Sequence, residues 1–341
     1  MNTLDIQLLE TKLDDFDRDI RRDALRRLKQ AADAGQVEVA PRRDAVNMHG
    51  HTFFSFNGYG YSPSRFLWRA YVEGLSAVGV CDFDVLDALE ETFEASGLLG
   101  LRATVGLETR VYFPEYADKV INSPGEPGIS YFMGVGFTER PDPSSDAGRT
   151  LADMARLARE RNEAMVGRIN SHATEIALDY ERDVLPLTPA GNATERHLLE
   201  AYTRRAESVF AGRPDEAVDY WTCILGVKRD EVLTVFDDRP AFHELIRKKL
   251  MKKGGVGYAE PEAGSFPTLD DVNRLALECG AIPCATWLDG TTEGEREFDA
   301  MLDVLTGKGV RAINVIPDRN WNVPDVEARM KKTAELKKVI E

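Results

Sequence analysis

The sequence has few cysteines and no motif that would pair them. Its 341 residues include only four, which are widely spaced, form no Cys-x-x-Cys pattern and lie in apolar stretches: Cys81, Cys223, Cys279 and Cys284. Such usage is typical of unpaired thiols in a reducing compartment and argues against a disulfide framework. We therefore predict four buried thiols in a cytoplasmic protein.

Signal peptides, membrane spans and broad basic patches are missing as well. The first thirty residues are densely charged, and no apolar run reaches the ~20 residues that a membrane span needs. The 43 basic and 58 acidic side chains give a net charge of −15, and Lys and Arg are concentrated only at 247–253. That run suits the cationic end of a helix. We therefore expect neither nucleic acid nor a membrane as a partner.

Three common catalytic or phosphate-binding motifs are also absent. The sequence contains no Gly-x-Gly-x-x-Gly, no Walker-type loop and no Gly-x-Ser-x-Gly elbow. A dinucleotide site, a P-loop and an α/β-hydrolase nucleophile are therefore not indicated. The chemistry has to come from other residues.

Strands and helices are predicted to alternate in two stretches. The predicted strands lie at 44–49, 77–82, 102–113, 129–137, 281–287 and 310–316. Helical spacing dominates 4–34 and most of 150–254, including a helix at 214–225, and further helices are predicted at 269–278 and 293–306. This alternation favours a parallel sheet covered by helices, as a barrel or a doubly wound fold. We predict N-terminal helices at 1–40 that pack on a barrel, the first part of the barrel at 41–170, a helical insertion at 171–262 and the second part at 263–341.

Histidine is scarce, and two of the five histidines stand together after the first predicted strand. His49 and His51 are two residues apart, so a strand would point both rings to one side. The next two predicted strands end in carboxylates, namely Asp82, Asp84 and Glu108. Ligands in parallel α/β folds bind at the carboxyl ends of strands, and such nitrogen and oxygen donors suit zinc, manganese or iron.

The motifs at these strand ends resemble a known family. His-Gly-His at 49–51, Asp-Phe-Asp at 82–84 and Gly-Leu-Glu at 106–108 are similar to the first motifs of the PHP (polymerase and histidinol phosphatase) family of metal-dependent phosphoesterases. The segment at 194–197 also resembles the Arg-x-His segment of its small-nucleotide branch. The resemblance implies an α/β fold, a distorted and incomplete (β/α)7-type barrel, with a helical insertion and N-terminal helices. It also implies a metal cluster that activates water against a phosphate ester.

Several positions depart from the family pattern. Phe83 stands where relatives have a histidine, the fourth strand carries Tyr131, Phe132 and Met133, and Thr286 replaces another expected histidine. We therefore expect one or two divalent ions, Mn, Fe or Zn, rather than three. The expected ligands are His49, His51, Glu108 and Asp82, the catalytic residues Asp82, Asp84 and His197, and the substrate-binding residues Arg196, Arg319, Asn320 and Asn57.

The substrate expected from the resemblance is a small phosphorylated metabolite, hydrolysed by a metal-activated water. One alternative is an inactive or repurposed barrel that binds a small molecule or a protein, and another is a lyase that uses the same metal. A barrel this short is closed by the N-terminal helices or by a second subunit, which would make a homo-oligomer, or else a C-terminal segment is lacking. His172 and His243 are expected at the surface or at helix ends.

Overall fold

The structure is a computed structural model that describes residues 3–262, 264–316, 319 and 323–340. The chain divides into two compact units. Unit 1 comprises the chain through Val39, His51–Arg69 and Ala155–Glu260, and unit 2 comprises Ala40–Gly50, Ala70–Met154 and the chain from Pro261 onward. The domain boundaries predicted from the sequence divide the chain differently and stay a prediction.

Unit 2 contains a six-stranded sheet, counted over the described residues. The strands are β1 (Val46–Gly50), β2 (Ala77–Phe83), β3 (Arg102–Tyr112), β4 (Ile129–Val135), β5 (Ile282–Trp287) and β6 (Ala312–Val315), hydrogen-bonded in that order. The α/β class is confirmed. A seventh strand and the closure of a barrel stay predictions.

The direction of β4 corrects the predicted all-parallel sheet. β4 pairs antiparallel with both β3 and β5, whereas β1–β2, β2–β3 and β5–β6 are parallel pairs. The connection from β3 to β4 holds only one described helical turn, Pro114–Tyr116, so it lacks the crossover helix that usually joins parallel strands. Because β4 alone is reversed, β5 and β6 run in the same direction as β1–β3. The carboxyl ends of these five strands therefore lie at the same edge of the sheet.

The helices largely follow the predicted pattern. Unit 2 holds α4 (Leu89–Leu99), α10 (Leu269–Glu278), α11 (Glu293–Arg296), α12 (Phe298–Gly307) and α13 (Val326–Ile340), while α3 (Pro63–Val72) and α5 (Asp146–His172) are divided between the units. One predicted helix at 293–306 is two helices, because Glu297 leaves helical geometry at φ −87° and ψ 46°.

The regular secondary structure of unit 1 is helical in the part of it that the structure describes, in agreement with the predicted helical spacing. Its helices are α1 (Thr3–Lys12), α2 (Arg18–Asp33), α6 (Glu195–Val209), α7 (Pro214–Leu225), α8 (Arg229–Val235) and α9 (Arg239–Ile246). Large aromatic side chains fill the core between α6 and α9: Trp221 and Phe242 meet edge to face at 5.4 Å, and the buried Tyr202 hydroxyl donates to Asn170 Oδ1 at 2.9 Å.

The structure corrects two expectations about single residues. His243 is buried rather than at the surface, and its Nε2 lies 3.2 Å from the Thr203 hydroxyl. Cys223 is exposed on α7, whereas Cys81, Cys279 and Cys284 are buried as predicted. Among the described residues no helix is both long and apolar enough to cross a membrane.

Candidate metal centre

Three neighbouring strands of unit 2 bring together one nitrogen, one sulfur and one carboxylate donor. His49 lies on β1, Cys81 on β2 and Glu108 on β3. The parallel register pairs Gly50 with Val80, Cys81 with Gly106, and Phe83 with Glu108. Because successive side chains alternate between the faces of a strand, Cys81 and Glu108 share one face of the sheet. Among the described residues, His49, Cys81 and Glu108 are the group whose donor atoms all lie within 4.8 Å of one another.

The histidine and the glutamate are already in contact. Nε2 of His49 lies 2.9 Å from Oε2 of Glu108, and their side chains are 32% and 13% exposed. This distance is a hydrogen bond, which requires a hydrogen on Nε2 when the carboxylate is ionised. His49 thus lies next to the end of β1 and Glu108 lies beside the end of β2, where solvent reaches both side chains.

The Cys81 thiol is a buried donor beside this pair. Its side chain is 2% exposed, and no described residue forms a hydrogen bond with it. Burial raises the pKa of this thiol well above its ordinary value, and the neighbouring Glu108, Asp82 and Cys284 raise it further. With no cation present, Cys81 is therefore a neutral thiol.

The three donors fit one divalent ion. Donors bound tetrahedrally at ordinary zinc distances lie about 3.4–3.6 Å apart. The three donor atoms here lie within 4.8 Å of one another, so a pair at this upper limit would have to move closer when the ion binds. The His49–Glu108 contact of 2.9 Å would have to open by about half an ångström, with the ion taking the place of the hydrogen between the two atoms. Histidine, glutamate and thiolate are all established zinc ligands.

Asp84, which follows β2, forms two hydrogen bonds with β3 next to Glu108. Its backbone N–H donates to the Glu108 carbonyl at 2.9 Å, and its Oδ1 accepts a hydrogen bond from the Thr109 hydroxyl at 2.5 Å. Asp84 has a φ of +62°, which aspartate tolerates better than most residues. The predicted catalytic Asp84 thus holds the turn next to Glu108. Asp82 is buried and pairs in register with Leu107, on the face opposite Cys81.

His51 and Asn57 lie in unit 1, in the loop after β1. Nδ1 of His51 is 3.5 Å from the Ser55 hydroxyl. The Asn57 side chain donates to the His51 carbonyl at 2.8 Å and accepts from the Tyr59 N–H at 2.8 Å. Asn57 therefore shapes this loop with its own amide. The ligand role of His51 and the substrate role of Asn57 stay predictions.

His197 forms part of a helix cap in unit 1. The Thr194 backbone N–H donates to Nδ1 of His197 at 3.0 Å, which completes a capping box at the start of α6. Burial lowers the pKa of His197 to about 4. The imidazole is thus neutral near pH 7, with Nδ1 engaged by the backbone. Arg196 is half-buried, and its guanidinium lies 3.5 Å from the Glu244 carboxylate.

Arg319 follows β6 in unit 2, at the sheet edge where β1–β3 end. Its guanidinium is 3.8 Å from Asp289, in the loop after β5, and its side chain is 53% exposed. The predicted Asn320 lies outside the described residues. Nearby, the buried hydroxyl of Thr286 has no hydrogen-bond partner among the described residues.

Sequence reasoning did not find Cys81 as a member of this group. The sequence predicts it only as one of four buried thiols, because an apolar context fits a core cysteine and a buried ligand equally well. The available signal was its position: Cys81 immediately precedes the Asp-Phe-Asp motif, and it shares the Glu108 face once the β2–β3 register is known.

Comparison with known proteins identifies the fold. No family model matches the sequence, and no curated relative is found. Among solved structures, the chain is similar to a proposed metal-dependent phosphoesterase from Bifidobacterium adolescentis, with 17% identity, a TM-score of 0.55, and coverage of 88% of this chain and 85% of that chain. It is also similar to an amidohydrolase from Chromobacterium violaceum, solved with sulfate and without metal, with 14% identity, a TM-score of 0.55, and coverage of 86% and 83%.

Proposed function

We propose that the chain is a PHP-like metal-dependent hydrolase that acts on a small phosphorylated metabolite. The observation that carries the proposal is the contact between His49 Nε2 and Glu108 Oε2 at 2.9 Å, beside the carboxyl ends of β1 and β2 in one sheet. Two structures with a similar fold carry the descriptions metal-dependent phosphoesterase and amidohydrolase. Both descriptions name hydrolytic enzymes, and the motifs at 49–51 and 106–108 point in the same direction.

His49 and Glu108 would hold the ion in this proposal. A divalent ion bound there would lower the pKa of a coordinated water to about 7 and polarise the bond under attack. Asp84 acts as a positioning residue, because its N–H and its carboxylate fix the Glu108 carbonyl and the Thr109 hydroxyl. The sequence resemblance also implies Asp82 and His51 as ligands; Asp82 lies on the face opposite Cys81 and Glu108, and the ligand role of His51 stays a prediction.

Arg319 is our candidate for binding the anionic group of the substrate. It follows β6 at the edge where β1–β3 also end, and its described ion pair with Asp289 is long, at 3.8 Å. A guanidinium can bind two oxygens of a phosphate at once. An exposed and weakly paired arginine can change partner at little cost.

Amide hydrolysis is a second candidate function. One structural neighbour is described as an amidohydrolase, and a metal-bound water can attack a carbonyl carbon as well as phosphorus. Binding without turnover is the third alternative, which the exchange of expected histidines for Phe83 and Thr286 favours. Hydrolysis of a phosphate ester releases phosphate or an alcohol, hydrolysis of an amide releases an amine, and binding alone releases neither. One assay of the products therefore separates the three alternatives.

The test is a screen of the full chain against phosphate monoesters, phosphate diesters and amides, with Zn²⁺, Mn²⁺ or Fe²⁺ added separately. We expect metal-dependent phosphate release that His49→Ala and Glu108→Gln abolish. His172→Ala is the matched control, because this exposed histidine of α5 contacts the Ile224 carbonyl and has no place in the proposed site. Turnover that survives His49→Ala would overturn the assignment, and metal binding without turnover of any substrate class would favour the binding alternative.

A further inference from the structure

We propose that Cys81 is the third protein ligand of the metal, which makes the centre a His–Cys–Glu site that selects zinc over manganese and magnesium. The inference rests on the metal site of the proposed function but does not depend on hydrolysis. It concerns a residue that the motif resemblance leaves out. Three lines of observation support it: the position of the sulfur, the space around it, and the chemistry of the donor set.

The position of the sulfur is fixed by the sheet. β2 lies between β1 and β3, and the parallel register puts Cys81 opposite Gly106, two residues before Glu108. The Cys81 sulfur, the His49 ring nitrogen and a Glu108 oxygen therefore converge from three adjacent strands to within 4.8 Å. A site on strands is held more precisely than one on loops.

The space around the sulfur is kept open by a glycine. A Cβ atom at Gly106 would lie 3.0 Å from Cys81 Sγ and 3.1 Å from the Gly134 carbonyl. On the same sheet face, beside the thiol, lie apolar or sulfur-containing side chains: Met133, Cys284, Val135 and Ala312. No described residue satisfies the thiol by a hydrogen bond. The group that remains in reach of Sγ is the His49–Glu108 pair.

The donor set favours a thiophilic ion. A neutral imidazole, a thiolate and a carboxylate together carry a charge of about −2 and balance a divalent cation when Cys81 loses its proton. Thiolate ligands favour zinc, whereas manganese and magnesium prefer carboxylate and water oxygens. Three protein ligands leave the fourth tetrahedral position open for water or substrate, as in catalytic zinc sites.

The test uses Co²⁺ as a spectroscopic probe for the zinc site in the full chain. A thiolate bound to Co²⁺ gives a charge-transfer absorption in the near ultraviolet, which nitrogen and oxygen ligands do not give. We expect the wild-type protein to show this band with one Co²⁺ per chain and to lose it when Zn²⁺ is added. Cys81→Ser should abolish the band while His49 and Glu108 still bind Co²⁺ more weakly.

Cys284→Ser is the matched control, because Cys284 is a buried thiol on the same sheet face and outside the donor group. This variant should keep the band. A second measurement compares affinities: Cys81→Ser should reduce the preference for Zn²⁺ over Mn²⁺ by at least about tenfold, and Cys81→Ala should do the same.

The outcomes separate this inference from the proposed function. Co²⁺ bound without a charge-transfer band, with binding lost in His49→Ala, would overturn the cysteine ligand and leave the proposed metal site intact. A band that persists in Cys81→Ser would also overturn the inference. A wild-type chain that binds neither Co²⁺ nor Zn²⁺ would overturn both.

Discussion

The buried histidine at the start of α6 makes the stability of unit 1 depend on pH. His197 is 3% exposed, its Nδ1 accepts a hydrogen bond from the Thr194 N–H, and burial lowers its pKa from 6.5 to about 4. In the unfolded chain the same imidazole binds a proton near pH 6.5. As the pH falls below that value, His197 binds a proton in the unfolded state, whereas in the folded state it stays neutral until about pH 4. The contribution of the neutral His197 to the free energy of unfolding is therefore fully present above pH 6.5 and is lost as the pH falls towards 4.

The size of this effect follows from the two pKa values. A change from 6.5 to about 4 corresponds to about 3 kcal/mol in total, of which about 2 kcal/mol is lost between pH 7 and pH 5. His243 contributes in the same direction, since burial and Arg239 lower its pKa too. The part due to His197 is the difference between the wild type and His197→Gln, because glutamine at this position can complete the capping box without titrating.

The assay is urea unfolding of the wild type and His197→Gln at pH 7 and pH 5, followed by far-ultraviolet circular dichroism. Between pH 7 and pH 5 we expect the free energy of unfolding of the wild type to fall by about 2 kcal/mol more than that of His197→Gln. His172→Gln is the control, since its histidine is exposed and should leave the wild-type fall unchanged. An equal fall in the wild type and His197→Gln would refute the reasoning. Metal-dependent turnover of His197→Gln tests the predicted catalytic role at the same time.

Three further predictions concern unit 2. Zn²⁺ at a hundred times its dissociation constant should stabilise the protein by about 2.7 kcal/mol in a thermal or denaturant melt, and His49→Ala should remove this gain while His172→Ala keeps it. Glu295→Ala should cost about 3 kcal/mol in denaturant unfolding, because the buried carboxylate accepts the backbone N–H groups of Leu288, Asp289 and Gly290; Glu295→Gln should cost less because it keeps one acceptor oxygen, and a loss equal to that of Glu295→Ala would contradict a role for this remaining acceptor. Arg319→Ala should raise KM for a phosphate ester by about tenfold or more with little change in kcat, whereas Arg319→Lys should recover part of it; an unchanged KM would exclude Arg319 from substrate binding.

The elements with strong local signals could be predicted closely from the sequence. The bounds of α7, Pro214–Leu225, and of α10, Leu269–Glu278, agree with the prediction because their ends are marked. Pro214 opens α7 and Gly226 ends it in the left-handed conformation, while the Thr268 side chain caps α10. The reversed direction of β4 could not be predicted in the same way, since strand periodicity is identical in both directions.

Residues of the candidate site could be predicted where they belong to a sequence motif, but not where their role depends on the pairing of neighbouring strands. His49 and Glu108 were identified from strand ends, and the structure places their side chains in contact. Cys81 depends on the pairing of β2 with β3, which is long-range information that no local pattern contains. Asn57 and Nδ1 of His197 form hydrogen bonds with the nearby backbone, and the substrate and catalytic roles of these two residues stay predictions.

The order of the strands also separates two properties that an engineer would wish to change independently. All three donor residues come from the continuous segment β1–β3, whereas Arg319 and Asp289 follow β6 and β5, on a later part of the chain. Loops after β5 and β6 could therefore be exchanged or randomised to alter which substrate is accepted, with the metal ligands left untouched. The same division would let natural variants diverge in specificity while retaining one metal chemistry.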